Sequence, residues 1–333
     1  MKYIVLIWLL ILPLSNSAQV VIDKNSVYRD TSGHEIKQQE FIKRMNTGKF
    51  RISSVKNDKG IVIGYQLISR GVIKPSKFPN IPLGEEISID IIYHGHILLP
   101  VTLKSKTASE DVWMVYDTGT ATALVDTSGF ELQHGKPERL YIGGLQIENP
   151  PGSSGALAKI IGGINEKYSK EIPEKLQGKK ISGVIGLLML NRYSISIDLK
   201  NRKIHLRNKD NVQRTLLPKP PISEVSYRNY VYNIWFPLTI NNQRGYAHLD
   251  TGYPFTWVEK TKFNKPISSY VVGRKDILEA VPFFDFKPLS QAKNYSGLPF
   301  TLIANMGNNL IENFILTIDS RDKKLFFEDN SGT

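Results

Sequence analysis

From Ile87 onward the hydrophobic positions fall into short alternating runs of β-branched and aromatic residues, cut by Gly, Pro and Asn. That is the pattern of strands joined by tight turns, and it predicts an all-β region. Pro100-Val101-Thr102-Leu103, Val112 to Tyr116, Pro237-Leu238-Thr239-Ile240 and Gly245 to Leu249 are its clearest strands. Before Ile87 the pattern is mixed. Ile36, Phe41, Ile42 and Met45 fall near the helical repeat, and Phe50 to Leu67 predicts two strands around the turn Asn57-Asp58-Lys59-Gly60. The stretch from Arg207 to Arg228, with Pro218, Pro220 and Pro221, has the composition of a linker. At the start, Met1 to Ala18 combines a single positive charge at Lys2, an apolar run from Tyr3 to Leu12, and small residues at Ser15, Ser17 and Ala18. This predicts a secretory signal peptide, with a run too short to stay as a membrane span and a mature chain that begins near Gln19. The expected address is outside the cytoplasm, periplasmic or secreted.

Composition narrows the chemistry. The chain of 333 residues is long enough for two domains, and 41% hydrophobic with 22% charged residues describes a chain that folds around cores. With no cysteine it has no disulfide, no thiolate metal ligand and no thiol nucleophile; for an exported protein this fits a bacterial envelope. The net charge of +12 is spread out, and its densest stretches, Lys200 to Lys203 and Arg321 to Lys324, are interrupted by Asn or Asp as in hairpin turns, so no nucleic-acid partner is expected. Of six histidines only His94 and His96 are close, on one strand face without a third ligand, and no metal or other cofactor is expected. Gly152-Ser153-Ser154-Gly155 is one residue short of a nucleophile elbow, and neither a phosphate loop nor a dinucleotide fingerprint occurs.

An internal repeat carries more information. Val184-Ile185-Gly186-Leu187-Leu188-Met189-Leu190, then Ile197-Asp198 and Lys203-Ile204-His205-Leu206, align without a gap to Asn305-Met306-Gly307-Asn308-Asn309-Leu310-Ile311, Ile318-Asp319 and Lys324-Leu325-Phe326-Phe327. Upstream of each copy a strand is followed by Asp-Thr-Gly, at Asp117-Thr118-Gly119 and at Asp250-Thr251-Gly252. Either triplet alone also reads as an Asx turn closing a strand. Two of them in register within a duplicated frame point to a pair of carboxylates brought to a shared axis.

In these motifs the chain resembles a two-lobed aspartic peptidase of the pepsin and retropepsin kind, over about residues 87 to 328. Short lobes and missing cysteines make it more similar to a compact bacterial-type relative than to a digestive pepsin. The resemblance implies an all-β, bilobal pepsin-like fold with two pseudo-symmetric β lobes and short helices, plus a small mixed N-terminal segment. The implied division is a signal peptide at 1–18, an accessory segment or prosegment at 19–86, one lobe at 87–207, a linker at 208–228 and a second lobe at 229–333. The implied activity is that of an endopeptidase acting on a peptide or protein substrate, with no cofactor, no membrane span after signal removal and a monomeric state. A catalytically inactive peptide-binding groove, and a regulator or processing factor whose N-terminal segment docks a partner, are the other readings.

Two carboxylates too close for both to ionise share one proton, so that the charged member takes a proton from water while the neutral one hydrogen-bonds the carbonyl. Asp117 and Asp250 are the candidate pair. Gly119 and Gly252 leave room for the tight turns, and by the resemblance Thr118 and Thr251 bond across the lobes while Thr120 holds the outer oxygen of Asp117. Tyr253 stands where a second small hydroxyl is expected. The apolar-apolar-Gly strands, Val184-Ile185-Gly186 in the first half, thread the aspartate loops by the same resemblance. Asn305 replaces an apolar residue in the second copy, which predicts either altered packing under Asp250 or a hydrogen bond into its loop. His248 is a candidate modulator of the pair's pKa values, either buried beside it and charged or partly exposed on its strand. Asp198 and Asp319 precede turns and are read as structural. The hairpin Arg139 to Ile147, with Tyr141, Ile142, Gly143 and Gly144 at its tip, is either a flap over the substrate or a surface hairpin, and Pro151 to Gly163 is a rival lid. Tyr253, Phe255, Trp257, Phe283 and Phe284 either line the cleft or belong to the core.

Overall fold

Burial on both faces marks the central strands: Ile181–Gly186 and Tyr193–Asp198 are buried along their whole length, and Ser109–Asp117 is buried from the apolar run Val112 to Tyr116 onward. The computed structural model describes residues 26–45, 50–57, 62–69, 76–120, 124–127, 129–154, 157–218, 220–230, 233–240, 242–258, 270–272, 275–277 and 300–330. The expected signal peptide lies outside these residues. The protein is predominantly β, and residues 1–75 and 76–333 form two compact units.

In the first unit the helical spacing yields the helix Gln38–Met45, and the two expected strands form as Phe50–Lys56 and Val62–Ser69. Val62–Ser69 pairs antiparallel with Phe50–Lys56 and parallel with Val27–Arg29. The core is aromatic, with Tyr28 4.9 Å from Phe41 between ring centroids and stacked at 6.4 Å on Tyr65. Gly64 allows the close approach of the first strand: a Cβ there would lie 2.0 Å from the Val27 carbonyl oxygen. The change of pattern at Ile87 overstates this unit, because residues 76–86 belong with the second. Ser76 Oγ donates to the Asn149 carbonyl at 2.6 Å, Lys77 and Glu148 exchange backbone bonds at 2.9 Å, and Tyr193 Oη donates to the Pro79 carbonyl at 2.7 Å. These long-range bonds leave no trace in local periodicity.

Among the described residues the second unit contains three sheets. In the first, the strand order is Leu145–Glu148, Arg139–Ile142, His96–Lys104, Ser109–Asp117, Ile181–Gly186, Leu124–Asp126, Ser153–Ser154. In the second it is Trp257–Val258, Leu302–Met306, Gln243–Leu249, Asn233–Ile240, Tyr270–Val272, Lys275–Ile277. The centres of the two sheets follow one plan. Ser109–Asp117 and Gln243–Leu249 each pair antiparallel with the preceding strand and parallel with the apolar-Gly strand of the repeat.

The third sheet, ordered Ser223–Ser226, Lys324–Asp329, Phe314–Asp319, Tyr193–Asp198, Lys203–Asn208, Glu86–Asp90, joins the halves. Its central antiparallel pair sets Ser196 opposite Thr317, residues 121 apart and therefore repeat mates. A local twofold axis passes between them. There Arg207 Nη2 donates to Ser196 Oγ at 2.7 Å, the two hydroxyls bond at 2.6 Å, and Thr317 Oγ1 donates to Glu328 Oε2 at 2.9 Å. Arg207 and Glu328 are also repeat mates, both buried, and the hydroxyl chain between them satisfies charges that would be costly alone. Glu328 also accepts the backbone N–H groups of Leu216 and Leu217 at 3.0 and 2.6 Å, so the proline-bearing stretch read as a linker is pinned to this sheet and supplies its edge strand Ser223–Ser226.

The sequence reading missed the helix Ala158–Glu171. Gly162 and Gly163 argue against helix locally, and burial of Ile161 and Tyr168 against Leu98, Trp113 and Val184 outweighs them. Among the described residues no helix is long and apolar enough to cross a membrane, and no group of three or more His, Asp or Glu side chains could hold a metal ion.

Candidate active site

Each Asp-Thr-Gly triplet closes its strand as a turn, as local chemistry alone requires. Gly119 N donates to Asp117 Oδ1 at 2.7 Å and Thr120 N to the Asp117 carbonyl at 3.3 Å. In the second copy Gly252 N donates to Asp250 Oδ1 at 3.2 Å and Tyr253 N to the Asp250 carbonyl at 3.2 Å. The parallel strands anchor both turns, Gly186 opposite Asp117 in register and the Met306 carbonyl accepting Asp250 N at 3.0 Å.

The two turns meet head to head through their threonines. Thr118 Oγ1 donates to the Leu249 carbonyl at 2.9 Å and accepts Thr251 N at 3.1 Å, while Thr251 Oγ1 donates to the Tyr116 carbonyl at 2.8 Å and accepts Thr118 N at 3.0 Å. Both threonines are fully buried. A valine at either position keeps the shape but leaves a buried N–H and a buried carbonyl unpaired, at about 1 to 3 kcal/mol for each group. Thr118→Val and Thr251→Val should each lower the urea midpoint by the equivalent of roughly 2 to 6 kcal/mol. A surface turn of the same sequence would give no such loss.

This clasp carries each carboxyl over the opposite glycine. A Cβ on Gly119 would lie 2.6 Å from Asp250 Oδ1, and one on Gly252 would lie 2.4 Å from Asp117 Cγ. The carboxyls hydrogen-bond each other, and each residue is 7% exposed. Burial, with the neighbouring Asp250 charge, pushes Asp117 up to about 7 despite the Thr120 hydroxyl, whose Oγ1 lies 2.5 Å from Asp117 Oδ2. Burial likewise raises Asp250, opposed by the hydrogen bonds from Asn305 and Asp117. One proton shared between two buried carboxyls is what this geometry holds near neutral pH.

Of the two outcomes expected for Asn305, the structure has the hydrogen bond: Nδ2 donates to Asp250 Oδ2 at 3.0 Å. His248 is buried, with its Nδ1 4.0 Å from Asp250 Oδ2 and its ring stacked on Trp235 at 4.6 Å. Burial lowers its pKa to about 4, so the charged imidazole expected to depress the pair is neutral at ordinary pH, and the partly exposed placement does not occur. Tyr253 is half-buried, its phenol pushed up by burial and by the charges of Asp250 and Asp117.

The hairpin expected as a flap forms, as Arg139–Ile142 and Leu145–Glu148, with Gly143 and Gly144 at positive φ. Gly143 packs on Ile89 of the third sheet, where a Cβ would lie 2.6 Å from the isoleucine, Ile142 is fully buried and Tyr141 is half-buried. The apolar alternation that predicted the hairpin reflects burial of its inner face in the core. Part of the rival lid, from Ala158, is helical. Phe255 is exposed; Phe283 and Phe284 lie outside the described residues.

Asp198 and Asp319 cap turns, accepting Asn201 N at 3.0 Å and Arg321 N at 2.9 Å, as their positions predicted. His94 and His96 pair with Glu171 and Tyr168 at 3.0 and 2.7 Å. One residue escaped sequence reasoning. Asn308 Nδ2 donates to the Thr251 carbonyl at 2.9 Å and to the Gly95 carbonyl at 2.8 Å, tying the second turn to the first half. Its signal was a fully buried asparagine at the start of a helix, indistinguishable in sequence from a cap. Compared with known proteins, the chain matches no family model and no curated protein.

Proposed function

We propose that the protein is an aspartic endopeptidase of the pepsin and retropepsin kind, two pseudo-symmetric β lobes sharing one carboxyl pair, that hydrolyses peptide bonds of exported or extracellular polypeptides. The observation that carries this reading is the reciprocal Thr118–Thr251 clasp, which brings Asp117 and Asp250 into mutual hydrogen-bond contact from the two halves of a repeat. An Asx turn needs no such partner.

The pair supplies both halves of a hydrolysis. A water between the carboxyls and the substrate gives one proton to the ionised aspartate as its oxygen attacks the peptide carbonyl carbon. The protonated aspartate gives its proton to the carbonyl oxygen, and a neutral gem-diol forms. In the second step a gem-diol hydroxyl returns a proton to one carboxylate, the other carboxyl protonates the nitrogen, and the carbon–nitrogen bond breaks. The products are a carboxylic acid and an amine, and the pair again holds one proton. Neither metal nor covalent intermediate enters the scheme.

Tyr253 in place of a small hydroxyl favours one alternative, an inactive protein that keeps a peptide-binding groove. The two separate in one experiment on the purified chain: turnover of a peptide library from pH 3 to 8, together with binding of a statine-type inhibitor whose hydroxyl stands in for the gem-diol. Cleavage with submicromolar inhibitor binding supports the peptidase. Peptide binding without turnover identifies the groove, and neither result would remove both.

A further inference from the structure

We propose that Asn305 is a positioning residue that fixes Asp250 as the proton-accepting member of the pair and leaves the shared proton on Asp117. The inference rests on the peptidase reading and adds the assignment of roles, which the near symmetry of the two turns conceals.

The asymmetry lies in the donors. Thr120 and Tyr253 are equivalent by their backbone bonds to the Asp117 and Asp250 carbonyls, at 3.3 and 3.2 Å. Thr120 places a hydroxyl on Asp117 Oδ2, whereas Asp250 Oδ2 has an amide from a different element, the Asn305 Nδ2 of the strand Leu302–Met306. The repeat mate of Asn305 is Val184, so nothing of this kind reaches Asp117 from the corresponding strand. A hydroxyl can donate or accept, but an amide NH2 can only donate. Asp250 therefore faces two fixed N–H donors, Gly252 N on Oδ1 and Asn305 Nδ2 on Oδ2, and is suited to be the carboxylate. Asp117 has one fixed N–H donor, from Gly119, and a hydroxyl that can turn to accept from a carboxylic acid. The proton is least costly there.

Among the described residues the surroundings add no competing charge. Asp117 from the first half, His248 from the neighbouring strand, the Tyr253 phenol from the turn, and Tyr116 beside Asp117 are the titratable groups facing the pair, and His248 is neutral above about pH 4. Burial raises both carboxyls, the Thr120 bond opposing the rise at Asp117 and the Asn305 bond the rise at Asp250, so the assignment rests on the donor geometry. In the hydrolysis, Asp250 then takes the water proton and Asp117 protonates the carbonyl oxygen.

The test is Asn305→Val, which installs the residue of the other half. We expect kcat to fall about 10- to 100-fold with KM changed less than about threefold, the loss of one hydrogen bond to a charged group. Tyr253→Thr added to that variant should recover much of the loss by supplying a hydroxyl from the position equivalent to Thr120. A second readout needs no turnover: carboxyl ¹³C titration of the wild type should show the upper step of the pair mainly at Asp117, and Asn305→Val should shift proton occupancy toward Asp250. Unchanged kcat and titration in Asn305→Val, or a wild type whose proton resides on Asp250, overturns the assignment. A wild type without turnover but with this titration pattern defeats the peptidase reading and leaves the assignment standing.

Discussion

On the proposed peptidase reading, Asp117→Asn is expected to abolish peptide cleavage, by roughly 10³-fold or more if the pair supplies both proton transfers, and at the same time to make the protein more stable near neutral pH. The second effect follows from the direction of the shift. A buried carboxyl whose pKa rises from 3.8 to about 7 on folding contributes its full stability only below about pH 4. That contribution is lost as pH rises toward 7, a loss on the order of 4 kcal/mol. His248 runs the other way. Its pKa falls from 6.5 to about 4, so its contribution is full above about pH 6.5 and is lost on acidification toward 4, by roughly 3 kcal/mol. In the wild type the two slopes oppose each other between about pH 4 and 6.5. Asn at 117 removes one of them while the buried Asp250 keeps its own, so the melting temperature of the variant should lose less than wild type as pH rises above about 4 and lie several degrees above it at pH 7.5. A variant whose melting temperature tracks wild type across this range would show that Asp117 is not a carboxyl raised by burial. A cost in stability is what the proposed role predicts, because buried like charges suit proton transfer and not folding.

Gly252→Ala is expected to remove activity as completely while leaving both carboxyls in the sequence. The added Cβ would lie 2.4 Å from Asp117 Cγ and 2.6 Å from each of its oxygens, closer than any real contact. Asp117 cannot simply retreat, since Gly119 N and Thr120 Oγ1 hold its two oxygens at 2.7 and 2.5 Å. The backbone at Gly252 is not in the left-handed region, so the whole effect is steric and falls on the opposite aspartate. The carboxyl contact must open by about an ångström, which should reduce kcat/KM at least 100-fold and weaken statine-type inhibitors in parallel. The overpacking should cost roughly 1 to 3 kcal/mol in urea unfolding. If Gly252→Ala retains cleavage, the carboxyls do not act across the Gly252 turn, and the catalytic pair must be sought elsewhere.

Much of the site was legible before any coordinates. Asp117, Asp250, their threonines and glycines stood out because a duplicated frame turns a weak triplet into a paired one, and Asn305 was visible as a polar residue in an apolar slot. The hairpin Arg139 to Ile147 shows the limit of that reasoning. Its alternation and Gly-Gly tip encode a turn, but alternation says only that one face is buried. Packing of Gly143 on Ile89, 54 residues earlier in the chain, decides which surface that is. The helix Ala158–Glu171 was hidden by two glycines that local propensity counts against and tertiary burial overrides.

By itself the sequence determined the β character of residues beyond 87, the turns at the two triplets and the order of the repeat, because these follow from side-chain period, glycine and local Asx bonding. Only the tertiary structure decided that the turns clasp each other, that His248 is buried and neutral, and that Asn305 and Thr120 hold the two carboxyls differently. Those outcomes depend on atoms of different strands and turns, 131 to 135 residues apart in the clasp and 55 apart for Asn305 and Asp250, meeting in a buried, low-dielectric space, where an unpaired donor or charge is too costly to leave. No local pattern records which distant partner will satisfy it.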